Sequence, residues 1–367
     1  MSEAQITIQD VAFGGSGVGR LPDGKVVFVP FTLTGETVRV RLYKNKKGFS
    51  EGELLEVVIP SPHRVLPPCP YFGKCGGCQY QHASHAEQLK IKEKQVRDIL
   101  GRIGGFRSLP AIQMEAAPRP FGYRNKISVH SGLNGELGFY AAESRTVVDV
   151  EECLIATDAI NQQLKGMRAN RSHPRHATLT DVRQREDTPE GSFHQVNTEM
   201  AGRLLDWVKL QAGNDPDLEL IDLYCGSGFF SLALAGQFKR VCGMDRDPRA
   251  IDSASKSAAK LGLQNVQFFA ADVGERMEWL LKDLPMDQQV VLVDPPREGL
   301  AANVALALSA APWRRLVYVA CDPATLARDL KKLAGGAPGR KITALAMFDM
   351  FPQTMHIEAG VVLESGR

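Results

Sequence analysis

The sequence predicts an α/β protein, a doubly wound and mostly parallel sheet in its C-terminal half, preceded by a small all-β barrel and a mixed middle segment. Three observations predict it. From about Leu218, apolar strand-like runs (LELIDLY, RVCGMD, VQFFAAD, QVVLVD, RLVYVA) alternate with helical patterns, and near-continuous apolar strands belong to a sheet covered on both faces. Residues 1–60 instead hold short runs rich in Val, Thr and Phe (ITIQDVAF, KVVFVPF, ETVRVRLYK, EGELLEVVI), separated by Gly-containing turns. Between the two halves, the proline-rich PSPHRVLPPCP at 60–70 marks a boundary. The reading is three segments: 1–60, 61–190 and 191–367.

In the barrel segment, GGSGVGR at 14–20 lacks the Lys-Ser or Lys-Thr and the following helix of a phosphate loop, and reads as a hairpin turn. The strand VRVRLYKNKKGF brings Arg39, Arg41 and Lys44 close to Tyr43 and Phe49. Cations interleaved with stacking surfaces suit nucleic acid. Charge agrees: residues 1–128 carry 18 Lys and Arg against 11 Asp and Glu, whereas the remainder carries 26 against 31. A basic arm on an acidic body fits a polyanionic partner. No apolar run approaches the roughly 20 residues of a membrane helix, and MSEAQITIQD has no export pattern, so the expected location is the cytoplasm. Seven cysteines in that setting point to metal ligation or catalysis rather than disulfides. No long amphipathic helix asks for a partner, and a monomer is expected.

In a doubly wound sheet, ligands bind beyond the C-terminal ends of the strands. After the first strand comes DLYCGSGFFSLALA, where Gly226 and Gly228 allow close approach of a ligand to the backbone. Ser231 replaces the third glycine of a dinucleotide fingerprint, which disfavours NAD. Asp245 lies 19 residues past Gly226 and can take both ribose hydroxyls, while Asp272 with Ala271 can flank an adenine. S-adenosylmethionine fits this set because it has no pyrophosphate to cradle.

After the fourth strand, VLVDPPREGL places Asp294 beside two stiffening prolines. After the fifth, ACDPATLARDL places Cys321 before Asp322, an N-cap, and Pro323, a first-turn residue. A thiol near a helix N-terminus is either a core residue or a nucleophile favoured as thiolate. Glu358 in DMFPQTMHIEAGVVLE is flanked by Ile357 and Ala359. It is either a catalytic base or an ion-paired structural carboxylate.

LYCGSGFFSLALA, VDPPREGL, ACDPATLARDL and DMFPQTMHIE, with SFHQVNTEM upstream, together resemble the RNA uracil-C5-methyltransferase family over essentially the whole chain. The resemblance implies a Rossmann-like methyltransferase domain at 191–367, an OB-like TRAM barrel for RNA at 1–60, and a small α+β central domain at 61–190. It implies Cys321 as the thiolate that adds to uracil carbon 6 and Glu358 as the base that removes the carbon 5 proton. Gln195, Tyr224, Asp245 and Asp294 would hold the methyl donor. Tyr123, Arg124 and Lys126, in PFGYRNKIS, fall where the family meets RNA. Two residues depart from the family pattern: Asp322 stands where Asn is usual, and Phe229 where Asn is frequent.

CPYFGKCGGCQYQH, with the later EECLIA, resembles the cluster-bearing domain of the family's 23S ribosomal RNA enzymes. Cys69, Cys75 and Cys78 are spaced C-x5-C-x2-C, and Cys153 can close the set. Zinc sites prefer two short pairs, so this spacing favours a 4Fe-4S cluster. The substrate implied is structured RNA, 23S ribosomal RNA first and the transfer RNA T-loop second. A non-catalytic RNA-binding factor on the same scaffold is the alternative of another class.

Overall fold

The computed structural model describes residues 2–169, 178–183, 195–277 and 289–365. The chain divides into two compact units. One comprises Met1–Gln95, Pro118–Gln184 and Phe351–His356; the other comprises Val96–Ala117, Arg185–Met350 and Ile357–Arg367.

The first unit opens with a closed barrel of β1 (Glu3–Val11), β2 (Ser16–Arg20), β3 (Val26–Pro30), β4 (Thr37–Asn45) and β5 (Phe49–Ile59), in the order β1-β2-β3-β5-β4. Alternation builds its interior: Ile6, Ile8, Val27, Val29, Val38 and Val40 all point inward. Each such side chain contributes about 1.5–3 kcal/mol when fully buried. The stretch GGSGVGR is only partly the turn expected from sequence. The turn occupies Ala12–Ser16, where Ala12 N donates to Ser16 O, and Gly17 and Gly19 lie inside β2. A Cβ on Gly17 would meet Thr32 Oγ1 at 2.0 Å, so that glycine serves barrel packing.

The rest of this unit holds an antiparallel sheet in the order β10 (Thr178–Arg183), β7 (Lys126–Ser131), β8 (Leu137–Tyr140), β9 (Val147–Asp149). Ile127, Val129 and Leu137 on its inner face pack against Ile160 and Leu164 of α2 (Asp158–Ala169).

The second unit is built on an eight-stranded sheet. Its order is β13 (Val266–Ala270), β12 (Phe238–Asp245), β11 (Asp215–Leu223), β14 (Gln289–Val293), β15 (Arg315–Ala320), β17 (Glu358–Glu364), β16 (Lys341–Phe348), β6 (Ile112–Glu115). Strands β13 to β15 run parallel, and β17 is antiparallel to both neighbours. β14 is buried at every position, as the apolar run Val290–Val293 requires. The chain switches direction at β11, which has β12 on one side and β14 on the other, so the crevice beyond its end is the ligand position of such sheets.

Two stretches depart from the expected segments: Phe351–His356, expected with 191–367, falls in the first unit, and Val96–Ala117, expected in the central region, falls in the second. Val96 and Leu100 at the end of α1 (His85–Arg102) enter the core of the second unit. β6 pairs there in parallel with β16. A four-residue strand has too little pattern of its own to reveal its partner.

Candidate active site

The end of β11 sets the site. Tyr224, the next residue, has φ 64°, and Gly226 and Gly228 have φ 53° and 82°. The chain therefore turns sharply into α4 (Phe229–Leu234), and a Cβ on Gly228 would meet the Phe268 ring at 2.9 Å. Gly226 N donates to Asp245 Oδ2 at 2.9 Å, and Asp245 Oδ1 accepts from Asp247 N at 2.9 Å. The carboxylate is thus fixed beside the glycine turn. Asp272 is held likewise, accepting from Gly274 N at 2.8 Å. Gln195 lies two residues before Asn197, whose Oδ1 accepts from Met200 N and caps α3 (Thr198–Ala212).

Ser231 is fully buried, and its hydroxyl donates to Asp222 Oδ2 at 2.5 Å while its amide donates to the same oxygen at 3.1 Å. Asp222 is also fully buried, and its Oδ1 has no hydrogen-bond partner among the described residues. Burial above all, then the charge of Asp245, pushes the Asp222 carboxyl up to about 7. Sequence reasoning passed over Asp222, although an acid inside the apolar run LELIDLY was the signal.

Strand register gathers the reactive groups. Asp222 faces Leu292, Val293 faces Tyr318, and Ala320 faces Ala359. Carried one residue past the strand ends, the same register sets Cys321 opposite Glu358, with Asp294 diagonal to both Asp222 and Cys321. Glu358 is 3% exposed and its acidity is suppressed by burial first and by Asp294 second, with Arg297 working the other way. Asp294 is half-buried and raised to about 7 by burial and by Asp222. The Cys321 thiol is raised to about 11 by burial, Glu358 and Asp294, offset by Arg297. Sequence reasoning missed Arg297, which lies within the quoted VDPPREGL.

The helix after Cys321 begins as expected. Asp322 Oδ1 accepts from Ala324 N and Thr325 N, both at 2.9 Å, and Pro323 opens α5 (Pro323–Gly335). Its carboxylate is engaged by the helix start. The loop carrying Arg297 is anchored to this helix. Asp329 Oδ2 accepts from Leu300 N and from the Tyr318 hydroxyl, both at 2.8 Å, and Arg328 donates to Glu298 O at 2.8 Å. Phe229 packs edge-on against Phe230 at 4.9 Å between ring centres.

In the first unit, Cys69, Cys75, Cys78 and Cys153 line one cavity of about 280 Å³, with Gln81, Arg124 and His356 also in its wall. Burial raises Cys78 to about 12 and Cys153 to about 11, and the other thiols add to both. Among the described residues, no group of three or more His, Cys, Asp or Glu side chains is arranged to hold a metal ion, so the expected 4Fe-4S cluster is not shown.

The expected RNA-contact residues divide. Arg39 pairs with Glu3 and Glu56, Arg41 with Glu53, and Lys44 with Glu51, so the β4 cations are largely neutralised by cross-strand carboxylates. Lys46 lies over the Phe49 ring at 5.1 Å, and Tyr43 is 51% exposed. Lys126 pairs with Asp181, and Arg124 donates to Lys126 O. Tyr123 is not at the surface: it is 4% exposed and its hydroxyl donates to Pro352 O at 3.0 Å, so it packs inward. Cys225 and Cys242 are buried, as expected of core thiols. Among the described residues, no helix is long and apolar enough to cross a membrane.

Residues 175–366 match the tRNA (Uracil-5-)-methyltransferase family and residues 2–55 match the TRAM domain. The chain belongs to the RNA uracil-5-methyltransferase family. An uncharacterized RNA methyltransferase of Halalkalibacterium halodurans is 32% identical to this uracil-5-methyltransferase, covering 98% of the chain and 96% of the relative. One of Aquifex aeolicus is 31% identical, over 98% of each. The crystal structure of the Pyrococcus abyssi tRNA (uracil-54, C5)-methyltransferase with S-adenosyl-L-homocysteine covers 98% of the chain and all of its own, at TM-score 0.72 and 22% identity. That likeness carries the fold. As a family member, this methyltransferase takes its methyl group from S-adenosylmethionine and acts on RNA.

Proposed function

We propose that this enzyme forms 5-methyluridine in structured RNA, with 23S ribosomal RNA the leading substrate. The observation that carries the chemistry is the register that brings Cys321 opposite Glu358 beside Asp294. Uracil carbon 5 is a poor nucleophile. Addition of the Cys321 thiolate to carbon 6 makes it enolate-like and able to take a methyl group. Gln195, Tyr224, Gly226, Gly228, Asp245, Asp272 and Asp294 would hold S-adenosylmethionine, which would supply that methyl as an electrophile, its sulfur–methyl bond breaking to leave S-adenosylhomocysteine. A cation beside the row, such as Arg297, favours the charged forms of both Cys321 and Glu358.

After methylation Glu358 takes the carbon 5 proton. Those electrons restore the carbon 5–carbon 6 double bond, the bond from carbon 6 to sulfur breaks, and the thiolate leaves. The target uridine has to be unstacked, because carbon 6 is inaccessible within a helix.

The cavity of Cys69, Cys75, Cys78 and Cys153 is read as the seat of a 4Fe-4S cluster. What supports that reading is the C-x5-C-x2-C spacing with a distant fourth cysteine, where zinc prefers two short pairs, together with the one cavity that all four thiols help to line. Such a cluster adds positive charge that thiols so strongly raised require before ionising. The central domain then offers Arg124 and Lys126 to RNA, and the barrel offers the Tyr43–Phe49 hairpin with Lys44. The enzyme is read as cytoplasmic and monomeric.

The test is incubation with S-adenosylmethionine and 23S ribosomal RNA containing 5-fluorouridine, then denaturing electrophoresis and peptide mass spectrometry. Fluorine does not leave as a proton does, so a methylated adduct on Cys321 is expected. An adduct with transfer RNA alone moves the substrate to the T-loop. No adduct with either leaves a non-catalytic RNA-binding factor.

A further inference from the structure

Between β16 and β17 the chain leaves the sheet unit. Residues Phe351–His356 belong to the unit that carries the four cavity cysteines, and the chain returns at Ile357, one residue before Glu358. Within that unit, nearly every residue of the excursion is tied down. Lys92 Nζ donates to Phe351 O and the Tyr123 hydroxyl to Pro352 O, both at 3.0 Å. Gln353 N donates to Gln88 Oε1 at 2.9 Å, and Gln353 O accepts from the amides of Gln79 and Tyr80, both at 3.0 Å. Met355 N donates to Gln79 Oε1 at 3.0 Å. Gln353 has φ 69°, a left-handed conformation that a non-glycine residue keeps only when its surroundings over-determine it.

Gln79 appears twice in that set and holds a third bond. Its Nε2 donates to Gly76 O at 2.8 Å, inside the turn from Cys75 to Cys78. His356, at the end of the excursion, lines the cysteine cavity. One side chain therefore joins the cysteine turn to the backbone three residues before Glu358.

We infer that Gln79 is a positioning residue for the reaction, acting through the Phe351–His356 strap to set the carboxylate of Glu358. The inference rests on the proposed chemistry of Cys321 and Glu358. It places the cysteine turn upstream of proton removal, the step after methylation, and leaves nucleophile and methyl-donor residues untouched. A misplacement on the order of 1 Å costs about 10²-fold in rate.

The test uses the full chain, its Gln79→Ala variant and unsubstituted RNA. In Gln79→Ala, 5-methyluridine formation is expected to fall roughly 10- to 100-fold, with S-adenosylmethionine affinity and bound iron unchanged. The fraction of protein trapped on denaturing gels as the Cys321–RNA adduct is expected to rise, because elimination waits on Glu358. Gln79→Glu keeps the acceptor for Met355 N and should recover part of the rate. If the Ala protein does not fold, Gln79→Met, of similar length and without polar groups, carries the same expectation. Turnover and adduct like the parent's overturn the inference, as does a parallel fall of product, adduct and S-adenosylmethionine affinity. A parent that forms no adduct even on 5-fluorouridine RNA overturns the reaction itself.

Discussion

The cavity of Cys69, Cys75, Cys78 and Cys153 and the sheet rim of Cys321 both hold thiols whose acidity burial suppresses first. They differ in what stands next to the sulfur. In the cavity the charged groups that add to burial in raising the thiols are other thiols, and Arg124 is the cation that eases Cys153. At the rim the opposing groups are Glu358 and Asp294, carboxyls that can themselves take up a proton. A site of thiols alone needs a metal before its sulfurs ionise. A thiol beside a carboxylate such as Asp294 can become a thiolate by passing its proton to that group, which leaves Glu358 ionised for the carbon 5 proton.

The largest effect that would break this contrast is at the rim. Cys321→Ala is expected to lower 5-methyluridine formation on the order of 10⁴-fold or more, read by nucleoside analysis of the RNA. Glu358→Gln comes next, at about 10²–10⁴-fold, and unlike the first it should accumulate covalent adduct. If Glu358→Gln forms neither product nor adduct, Glu358 acts before the thiol adds and the assignment of base is wrong. On the cavity side, Cys78→Ser should take bound iron from about four per chain toward none, measured on anaerobically purified protein. Iron retained in full would sink the four-cysteine seat.

Asp222→Asn sharpens the electrostatic half of the comparison. The Asp222 carboxyl is raised from 3.8 to about 7, so between those pH values the folded chain holds a proton that the unfolded chain releases. Its contribution is therefore fully present below about pH 4 and lost as pH rises to about 7, at about 1.4 kcal/mol per unit. Asn keeps an acceptor for both Ser231 donors and does not titrate. Thermal melts should show parent and variant alike at pH 4 and the variant more stable by a few kcal/mol at pH 8; an equal gap at both would refute the ionisation. The smallest effect is on RNA affinity. Lys46→Ala with Lys47→Ala should lessen the slope of log affinity against log salt by about 1–2, and Arg39→Ala by less, since Arg39 already pairs with Glu3 and Glu56.

Much of this was legible in the chain itself. Alternation in KVVFVPF and ETVRVRLYK marks barrel strands because the side-chain period of a strand is two. Asp322 and Pro323 announce a helix start, and the cap bonds are there. Strand ends followed by Tyr224, Asp294 and Cys321 locate the site, because parallel sheets place ligands beyond their C-terminal edges. What stayed hidden depends on contacts far apart in sequence. The burial of Tyr123, expected where the family meets RNA, was hidden because its partner, Pro352, lies more than two hundred residues later. The pairing of Arg39 with Glu56 follows from barrel register, and β6 found β16 only in the folded sheet.

The sequence by itself determined the element types, the family and the identity of the candidate nucleophile, base and cysteine set, because local period, turn chemistry and motif order are written in consecutive residues. Tertiary structure alone decided that Cys321 and Glu358 fall opposite one another and that Asp222 is fully buried in the same sheet. It alone joined the four cysteines around one cavity, with Gln79 bonded to the strap before Glu358. Those facts rest on strand order, register and burial, which become defined only when distant segments share one core.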